Sequence, residues 1–349
     1  MSLEATEYPT RNKKALLTGS NLEKILRAGH FAVTAELGPP QSADHAVIRD
    51  KARYLRDCCD GINITDNQTA IVRMSSLASG AILVQEGLEP IIQMVCRDRN
   101  RIAMQSDLLG AYALGVRNVL CLTGDHQSFG NHPTAKNVFD LDSCQLVKMV
   151  REMRDQRIFQ CGEAIKGREP RFFVGAAASP FAAPVTFRPY RLAKKVKAGA
   201  DFIQTQLVYD VDGFEVFMEK VRALGIHENA YILAGVGPLK SPGMAKYMRD
   251  NVPGIRIPDR LIERMTQAGA KWAGKKNEEL SREEKEARSE AWKAEGIKIC
   301  IELIHKMRAI PGVAGVHIMA IEWESAVKPI VEGAGLLPRP RIIEPDSPR

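Results

Sequence analysis

The chain has 349 residues, of which 45% are hydrophobic and 26% charged. This composition is typical of a globular protein with a full-sized core, either two average domains or one large α/β barrel. No apolar stretch approaches the roughly 20 residues that span a bilayer, so we predict no membrane span. The net charge of +7 favours an anionic ligand, and nucleic acid is the weaker interpretation because the basic residues are not interleaved with aromatic ones.

The N-terminal segment and the cysteines indicate a cytoplasmic protein. The first 20 residues are polar, without the apolar core of a secretory signal. Seven cysteines are scattered along the chain, and no C-x-x-C or H-x-x-H pair suggests a zinc site. We therefore expect reduced, mostly buried thiols and no bound metal.

Short apolar runs that end in small or polar residues recur along the chain. A helix over 19–26, with a capping box formed by Ser20 and Glu23, comes before the first of them. The runs predict eight strands, over 31–37, 61–66, 90–96, 118–125, 171–178, 201–206, 231–237 and 315–322. Helical patterns occupy 45–58, 71–86, 100–114, 142–155, 187–198, 211–223, 243–250 and 280–310.

Eight apolar strands alternating with helices predict a (β/α)8 TIM barrel of the α/β class. We expect the barrel to occupy 30–335, after an N-terminal arm and helix over 1–29 and before an extended Pro-rich tail over 336–349. A doubly wound sheet is the competing fold, but the first strand leads into ELGPPQS, which lacks the G-x-G-x-x-G turn. The segments 157–170 and 251–280 are long for barrel loops and are interpreted as insertions.

Polar residues lie where the predicted strands end, which is the end of a barrel that carries function. In chain order they are Glu36, Thr65, Gln93, Asp125, Ser179 and Gln206, followed by the glycines at 235 and 237. A single acid at a strand end more often caps a helix or pairs with a basic side chain. Two acids, at the ends of strands one and four, favour a functional site.

Glu36 and Asp125 have different local sequences. Pro39 and Pro40 stiffen the backbone just beyond Glu36, and a carboxyl group in a partly desolvated pocket has a raised pKa that suits a general acid. Asp125 follows Gly124, where a ligand can approach the backbone closely.

A second cluster lies in FRPYRLAKK, where Arg188, Arg191, Lys194 and Lys195 follow helical spacing. A solvated basic face is the ordinary explanation for such a pattern. Beside the fifth strand, however, these cations could bind a diphosphate.

Seven segments in this order resemble the methylenetetrahydrofolate reductase family over roughly 30–335. They are AELGPP, NITDNQTA, QMVCRDRNR, LCLTGDH, AKNVFDLDS, FRPYRLAKKVKAGADFIQTQLVYD and GVHIMAIEWESAV. The resemblance implies a TIM barrel with a non-covalent flavin, normally FAD, that transfers a hydride to 5,10-methylenetetrahydrofolate and forms 5-methyltetrahydrofolate.

The resemblance also implies site residues. Glu36 falls on the general acid that protonates N10 of the folate, Asp125 on the acid beside flavin and pterin, and Gln206 on a substrate-binding glutamine. Flavin contacts fall on Thr65, Gln93, Thr123, Gly124, Asp125, Asp140, Ser179, Arg191 and Lys195.

This sequence departs from the best-known bacterial members around the flavin phosphates and the substrate tail. Those members have histidine at the position of Gln93, arginine at Thr123, tyrosine at Ser179 and an acid at Arg188, and their arginine for the folate tail is replaced around Glu322 and Trp323. FMN in place of FAD, and another tetrahydropterin in place of folate, therefore stay open. The electron source is also open between NAD(P)H and a ferredoxin-linked or zinc-binding partner subunit, and we expect an oligomer.

Two other function classes compete with the flavin-dependent reductase. One is a flavin-free TIM-barrel methyltransferase that passes the methyl group of methyltetrahydrofolate to a corrinoid. The other is a non-catalytic subunit that keeps the barrel for assembly, and the presence of both Glu36 and Asp125 argues against it.

Overall fold

The computed structural model describes residues 17–275 and 277–342. The rest of the predicted arm (1–16), residue 276 and the end of the predicted tail (343–349) lie outside the described residues. The eight strands are β1 (Ala32–Leu37), β2 (Gly61–Ile64), β3 (Pro90–Val95), β4 (Asn118–Leu122), β5 (Phe173–Ala178), β6 (Phe202–Leu207), β7 (Tyr231–Val236) and β8 (Val313–Ile318). The helices are α1 (Asn21–Arg27), α2 (His45–Leu55), α3 (Ser76–Gln85), α4 (Arg101–Ala113), α5 (Ser143–Asp155), α6 (Arg188–Ala198), α7 (Val211–Ala223), α8 (Ile226–Asn229), α9 (Pro242–Asn251), α10 (Asp259–Ala268), α11 (Arg282–Ala309) and α12 (Val327–Gly333).

The strands form a closed parallel barrel in sequence order, and β8 pairs with β1. This confirms the predicted (β/α)8 fold. The apolar runs fit this arrangement because each strand is covered by helices on one side and packs into the barrel on the other. The carboxyl ends of all eight strands consequently meet at one mouth.

The opposite end of the barrel is closed by α1, which supplies Leu22, Ile25 and Leu26 to a buried apolar cluster with the strand residues Ala32, Ile91, Leu120, Phe173, Phe202 and Leu233. Gly175 leaves room there, because a Cβ at this position would lie 2.3 Å from Cζ of Phe202. Because this lower end is plugged, a ligand reaches the interior of the barrel through the mouth.

The described part of the tail crosses this lower end without regular secondary structure. Nη2 of Arg339 donates to Oδ2 of Asp60 at 2.6 Å and to the carbonyl of Phe31 at 2.8 Å. Asp60 also accepts from the backbone N–H of Val33. The tail is thereby attached to the starts of β1 and β2.

Several predicted boundaries are wrong. The strand expected to run to 125 ends at Leu122, because Gly124 adopts a positive φ of 92°. The last strand is Val313–Ile318 instead of 315–322, and the helix expected from 71 begins at Ser76, which Ser75 caps.

Two further findings concern segments singled out in the sequence. The segment 251–280 contains α10, whose Leu261, Ile262 and Met265 are buried. The capping box at the first helix is only half formed: Ser20 accepts from the N–H of Glu23, but the Glu23 carboxylate binds the backbone of residues 17–19.

All seven cysteines are free thiols, and Cys58, Cys96, Cys121 and Cys300 are buried. In the part of the chain that the structure describes, no helix has the length and apolarity to cross a membrane. Over the same residues, no group of three or more His, Cys, Asp and Glu side chains is arranged to hold a metal ion.

Candidate functional site

Glu36 lies near the carboxyl end of β1, opposite Asn63 of β2. Side chains alternate along a strand, and Thr34, two residues earlier, contacts His317 inside the barrel, so Glu36 faces the interior at the mouth. The backbone beyond it is anchored, since the carbonyls of Pro39 and Pro40 accept from Arg73 and from the N–H of Met74.

The pKa of Glu36 is raised to about 7. Burial is the largest cause, because an ionised carboxylate loses hydration at this position, although Glu36 is only half-buried by its surface exposure. The negative charge of Glu324 raises the pKa further, and the positive charge of Lys51 partly opposes both effects. A carboxyl group with a pKa near 7 is half protonated at neutral pH and can both donate and accept a proton.

Glu324 and Lys51 are neighbours of the site that the sequence analysis missed. Nζ of Lys51 lies 2.9 Å from Oε1 of Glu324 and donates to the carbonyl of Gly38 at 3.0 Å. The only signal in the sequence is an acid in the turn after the last strand. Nothing in the local pattern connects it with a lysine of the second helix.

The inner face below the mouth carries polar groups without partners. Among the described residues, Nδ2 and Oδ1 of Asn63, Oγ1 of Thr65 and Oε1 of Gln204 are buried and form no hydrogen bond. Buried polar atoms normally have partners, so these atoms suit a ligand that offers both donors and acceptors. The pyrimidine edge of an isoalloxazine has this character, so the residues present fit a flavin.

The loop after β4 is held from the neighbouring loops. Oγ1 of Thr123 accepts from the N–H of Ser143 at the start of α5. A Cβ on Gly124 would lie 3.1 Å from Cβ of Val95, and the backbone here has a positive φ. Both the close packing of the strand ends and this backbone conformation therefore favour glycine. The side chain of Asp125 is exposed at the rim of the mouth.

Arg97 organises this rim and was not singled out from the sequence. Its buried guanidinium donates to the carbonyl of Asp125 at 3.0 Å, to the carbonyl of Asn67 at 3.3 Å and to both carboxylate oxygens of Asp98. One side chain thus joins the loops after β2, β3 and β4, and it fixes the backbone that presents Asp125.

The remaining amides of the predicted site lie on two strands. Gln93 is partly exposed on β3, and its carbonyl accepts from Oγ of Ser76. Gln206 is partly exposed on β6 at a break in the register with β7, and its Oε1 accepts from the N–H of Leu207. A bulge at this point redirects the side chains near the mouth.

A basic pocket lies between the end of β5 and the start of α6. Ser179, Arg188, Arg191 and Lys195 line it together with apolar side chains. Nζ of Lys195 donates to the carbonyl of Ala177 at 2.6 Å, and burial lowers the pKa of this amine. Three cations around a small pocket suit a phosphate group.

Two predicted residues do not line this pocket: Lys194, from the basic cluster, and Asp140, which the resemblance implies only as a flavin contact. Lys194 is exposed and lies over the Phe187 ring instead of lining the pocket. Asp140 forms a bidentate pair with Arg101, whose hydrogen bonds lower the pKa of the carboxyl group to about 2. The structure therefore brings Ser179, Arg191 and Lys195 into one pocket and leaves Asp140 with a partner of its own.

Comparisons with known proteins show the family to which the chain belongs. The family model described as methylenetetrahydrofolate reductase matches residues 21–335. Methylenetetrahydrofolate reductase 1 of Schizosaccharomyces pombe is 27% identical over 251 residues, which cover 72% of this chain and 36% of that protein. The 5,10-methylenetetrahydrofolate reductase of Salmonella typhimurium is 23% identical over 238 residues, which cover 66% of this chain and 72% of that protein. The chain thus spans little more than a third of the S. pombe relative.

Solved structures agree on the fold. An uncharacterized protein from Clostridium thermocellum, which binds two copies of 5-methyl-5,6,7,8-tetrahydrofolic acid, superposes with a TM-score of 0.54 at 14% identity, covering 90% of this chain and all of that one. The EDTA monooxygenase of Chelativorans sp. BNC1 has a TM-score of 0.50 at 12% identity, covering 89% and 95% of the two chains. At these identities the similarity shows the barrel alone.

Proposed function

Because the chain belongs to the methylenetetrahydrofolate reductase family, we propose that it reduces 5,10-methylenetetrahydrofolate to 5-methyltetrahydrofolate with a bound flavin. The observation that carries the proposal is Glu36, an inward-facing carboxyl group at the mouth of the barrel with a pKa raised to about 7. The folate that the C. thermocellum protein binds is the product of this reaction.

Glu36 is the general acid of the proposed reaction. Its protonated carboxyl group donates to N10 of the substrate, which opens the five-membered ring and leaves an iminium at N5. A group with a pKa near 7 is protonated in about half of the molecules at neutral pH, and its carboxylate form is a weak base, so the proton is readily released.

Asp125 and Gln206 act on the pterin. Within the described residues the Asp125 carboxylate forms no ion pair, so its charge at the rim is available to stabilise the cation that develops on the substrate. The amide of Gln206, whose Oε1 accepts from the N–H of Leu207 in the structure, exchanges this contact for a hydrogen bond to the pterin.

The proposed flavin site extends from the mouth to the basic pocket. Thr65, Gln93, Thr123, Gly124 and Asp125 hold the ring system, and Ser179, Arg191 and Lys195 hold a phosphate. Asp140, which already pairs with Arg101, contacts the outer part of the cofactor. When bound, the flavin supplies the hydride that reduces the one-carbon unit.

We propose FAD as this flavin, with FMN as the alternative that a phosphate pocket admits equally. Electrons come from NAD(P)H or from a ferredoxin-linked or zinc-binding partner subunit. Mass spectrometry of the flavin released from purified protein distinguishes FAD from FMN. Anaerobic reduction with NADH, NADPH and reduced ferredoxin in turn, followed by flavin bleaching, identifies the donor.

The proposal is tested by anaerobic reduction of the flavin-loaded protein with 5-methyltetrahydrofolate. We expect bleaching by the wild-type protein and by the control variant Glu332→Gln, which changes an exposed acid of α12. Glu36→Gln should bind flavin and fail to bleach. A protein that binds no flavin and methylates cob(I)alamin would instead be the corrinoid methyltransferase, and an unchanged Glu36→Gln variant would indicate a non-catalytic subunit.

A further inference from the structure

A partly buried ion pair lies near Glu36 and is formed by residues far apart in sequence. Lys51 comes from the middle of α2, and Glu324 from the turn between β8 and α12. Their charged atoms are 2.9 Å apart, and the Glu324 side chain is only 7% exposed. The same ammonium donates to the carbonyl of Gly38, two residues beyond Glu36.

Stability alone is a weak reason for such a pair. Removing two charged groups from water costs about as much as their attraction returns, and apolar residues of similar size often stabilise a protein equally well. The pair also places a second carboxylate near Glu36. The ammonium of Lys51 attracts both the Glu324 and the Glu36 carboxylates. Two carboxylates that share a site resist simultaneous ionisation.

We propose that Lys51 and Glu324 are positioning residues that hold Glu36 at the mouth and set its protonation, with the Glu324 carboxylate favouring the protonated form and the Lys51 ammonium limiting that effect. This inference rests on the proposed role of Glu36 as general acid. The Glu324 carboxylate disfavours a second negative charge beside it. Lys51 compensates Glu324 and ties the end of β1 to α2, so the carboxyl group of Glu36 keeps its orientation toward the mouth.

Two other cations on this side of the barrel, Arg73 and Lys240, already have partners. Arg73 donates to the carbonyl of Pro39 and lies 3.6 Å from Glu322. Lys240 donates to the carbonyl of Ile321. Their charges are directed to the backbone and to the exposed Glu322.

Beside and below Glu36, the ionisable groups are paired or neutral. Asp66, after β2, is bound by Arg99 at 2.7 Å. His317, deeper on β8, is neutral because burial lowers its pKa to about 3. Among the described residues this leaves Glu324 and Lys51 as the charges that act on Glu36, in agreement with the causes of its raised pKa.

The test is a direct titration of the Glu36 carboxyl group in the full chain. Carbonyl infrared difference spectra or NMR of labelled glutamate follow its protonation, and Glu36→Gln assigns the signal. Glu324→Gln, which keeps the shape and a hydrogen-bond acceptor for Lys51, should move the midpoint to lower pH by about one unit. Lys51→Gln should move it to higher pH.

Opposite shifts from the two substitutions support the proposal, because a general disturbance of the turn would shift both in one direction. Glu332→Gln, which changes an exposed acid of α12, is the control and should leave the midpoint unchanged. The alkaline limb of the pH profile of single-turnover substrate reduction should follow the same shifts, because reduction in this direction needs the protonated carboxyl group.

The proposal is overturned if Glu324→Gln leaves the titration of Glu36 at its wild-type midpoint, or if Glu332→Gln moves it equally. If the midpoint shifts as expected while the wild-type protein fails to reduce the substrate, the pair acts on Glu36 and only the proposed reaction is wrong. Titration of Glu36 needs no turnover, so failure of the positioning proposal can be distinguished from failure of the proposed reaction.

Discussion

Nδ1 of His317 lies 3.0 Å from Oγ1 of Thr34 inside the barrel, where β8 pairs with β1. Nε2 of Gln204, from β6, completes the cluster at 3.3 Å from the Thr34 hydroxyl. All three side chains are buried. Burial lowers the pKa of His317 to about 3, so the imidazole is neutral in the folded protein.

The neutral His317 makes stability depend on pH in the acid range. Below pH about 6.5 the unfolded chain binds a proton on this imidazole that the folded chain excludes. Proton binding therefore stabilises the unfolded state increasingly as the pH falls toward 3. We expect this group to reduce the free energy of unfolding by about 1.4 kcal/mol per pH unit in that window. Above pH 7 it contributes no slope.

Urea denaturation at a series of pH values tests this expectation. His317→Gln should show a shallower loss of stability below pH 6.5 than the wild-type protein, whatever its absolute stability. His305→Gln, which changes an exposed histidine of α11, should retain the wild-type slope. Identical slopes in all three proteins would show that His317 titrates normally in the folded state.

The pair of Arg154 and Asp201 should stabilise the barrel strongly. Nη1 of Arg154 lies 2.6 Å from Oδ2 of Asp201, both side chains are buried, and Asp201 also accepts from the N–H of Val174. Arg154→Met leaves a buried carboxylate without its cation, and we expect a loss of roughly 3–5 kcal/mol in the free energy of unfolding.

Thermal and urea unfolding measure this loss. Arg282→Met is the matched control, because the pair that Arg282 forms with Glu286 is exposed on α11 and is worth less than about 1 kcal/mol. Equal losses in the two variants would contradict the importance of burial.

The affinity for flavin should depend on the basic pocket at α6. Lys195 lines the pocket and Lys194, its neighbour in sequence, does not. Lys195→Met should weaken flavin binding about tenfold or more, because a charge-assisted contact to phosphate is worth roughly 1.5–3 kcal/mol.

Quenching of flavin fluorescence on binding gives the dissociation constants. Lys194→Met, which removes the same charge from the helix surface, should bind flavin within about twofold of the wild-type protein once salt screens long-range attraction. A large effect of both substitutions would indicate that overall charge, and not the pocket, attracts the flavin.

The strands and the candidate general acid could be predicted from the sequence because both depend on short-range patterns. A strand of a parallel barrel is a nearly continuous apolar run, so all eight were found. Alternation then places Glu36 inside, two residues after Thr34. The ends were less certain, because turns such as the one at Gly124 depend on backbone conformation more than on hydrophobicity.

The charges around the site could not be predicted in the same way. Glu324, Lys51 and Arg97 act through contacts between elements distant in sequence, and each is preceded and followed by ordinary loop or helix residues. The helix α10 was missed because prolines and glycine precede its short apolar spacing.

The central claim is that Glu36 protonates the substrate while hydride is transferred, and single-turnover oxidation of the reduced, flavin-loaded protein tests it most directly. The account predicts that 5,10-methylenetetrahydrofolate rapidly restores the oxidised flavin spectrum in the wild-type protein. In Glu36→Gln it should restore the spectrum at least about a hundredfold more slowly, while a small dye acceptor oxidises both proteins equally. Equal oxidation of the two proteins by the folate would contradict the account.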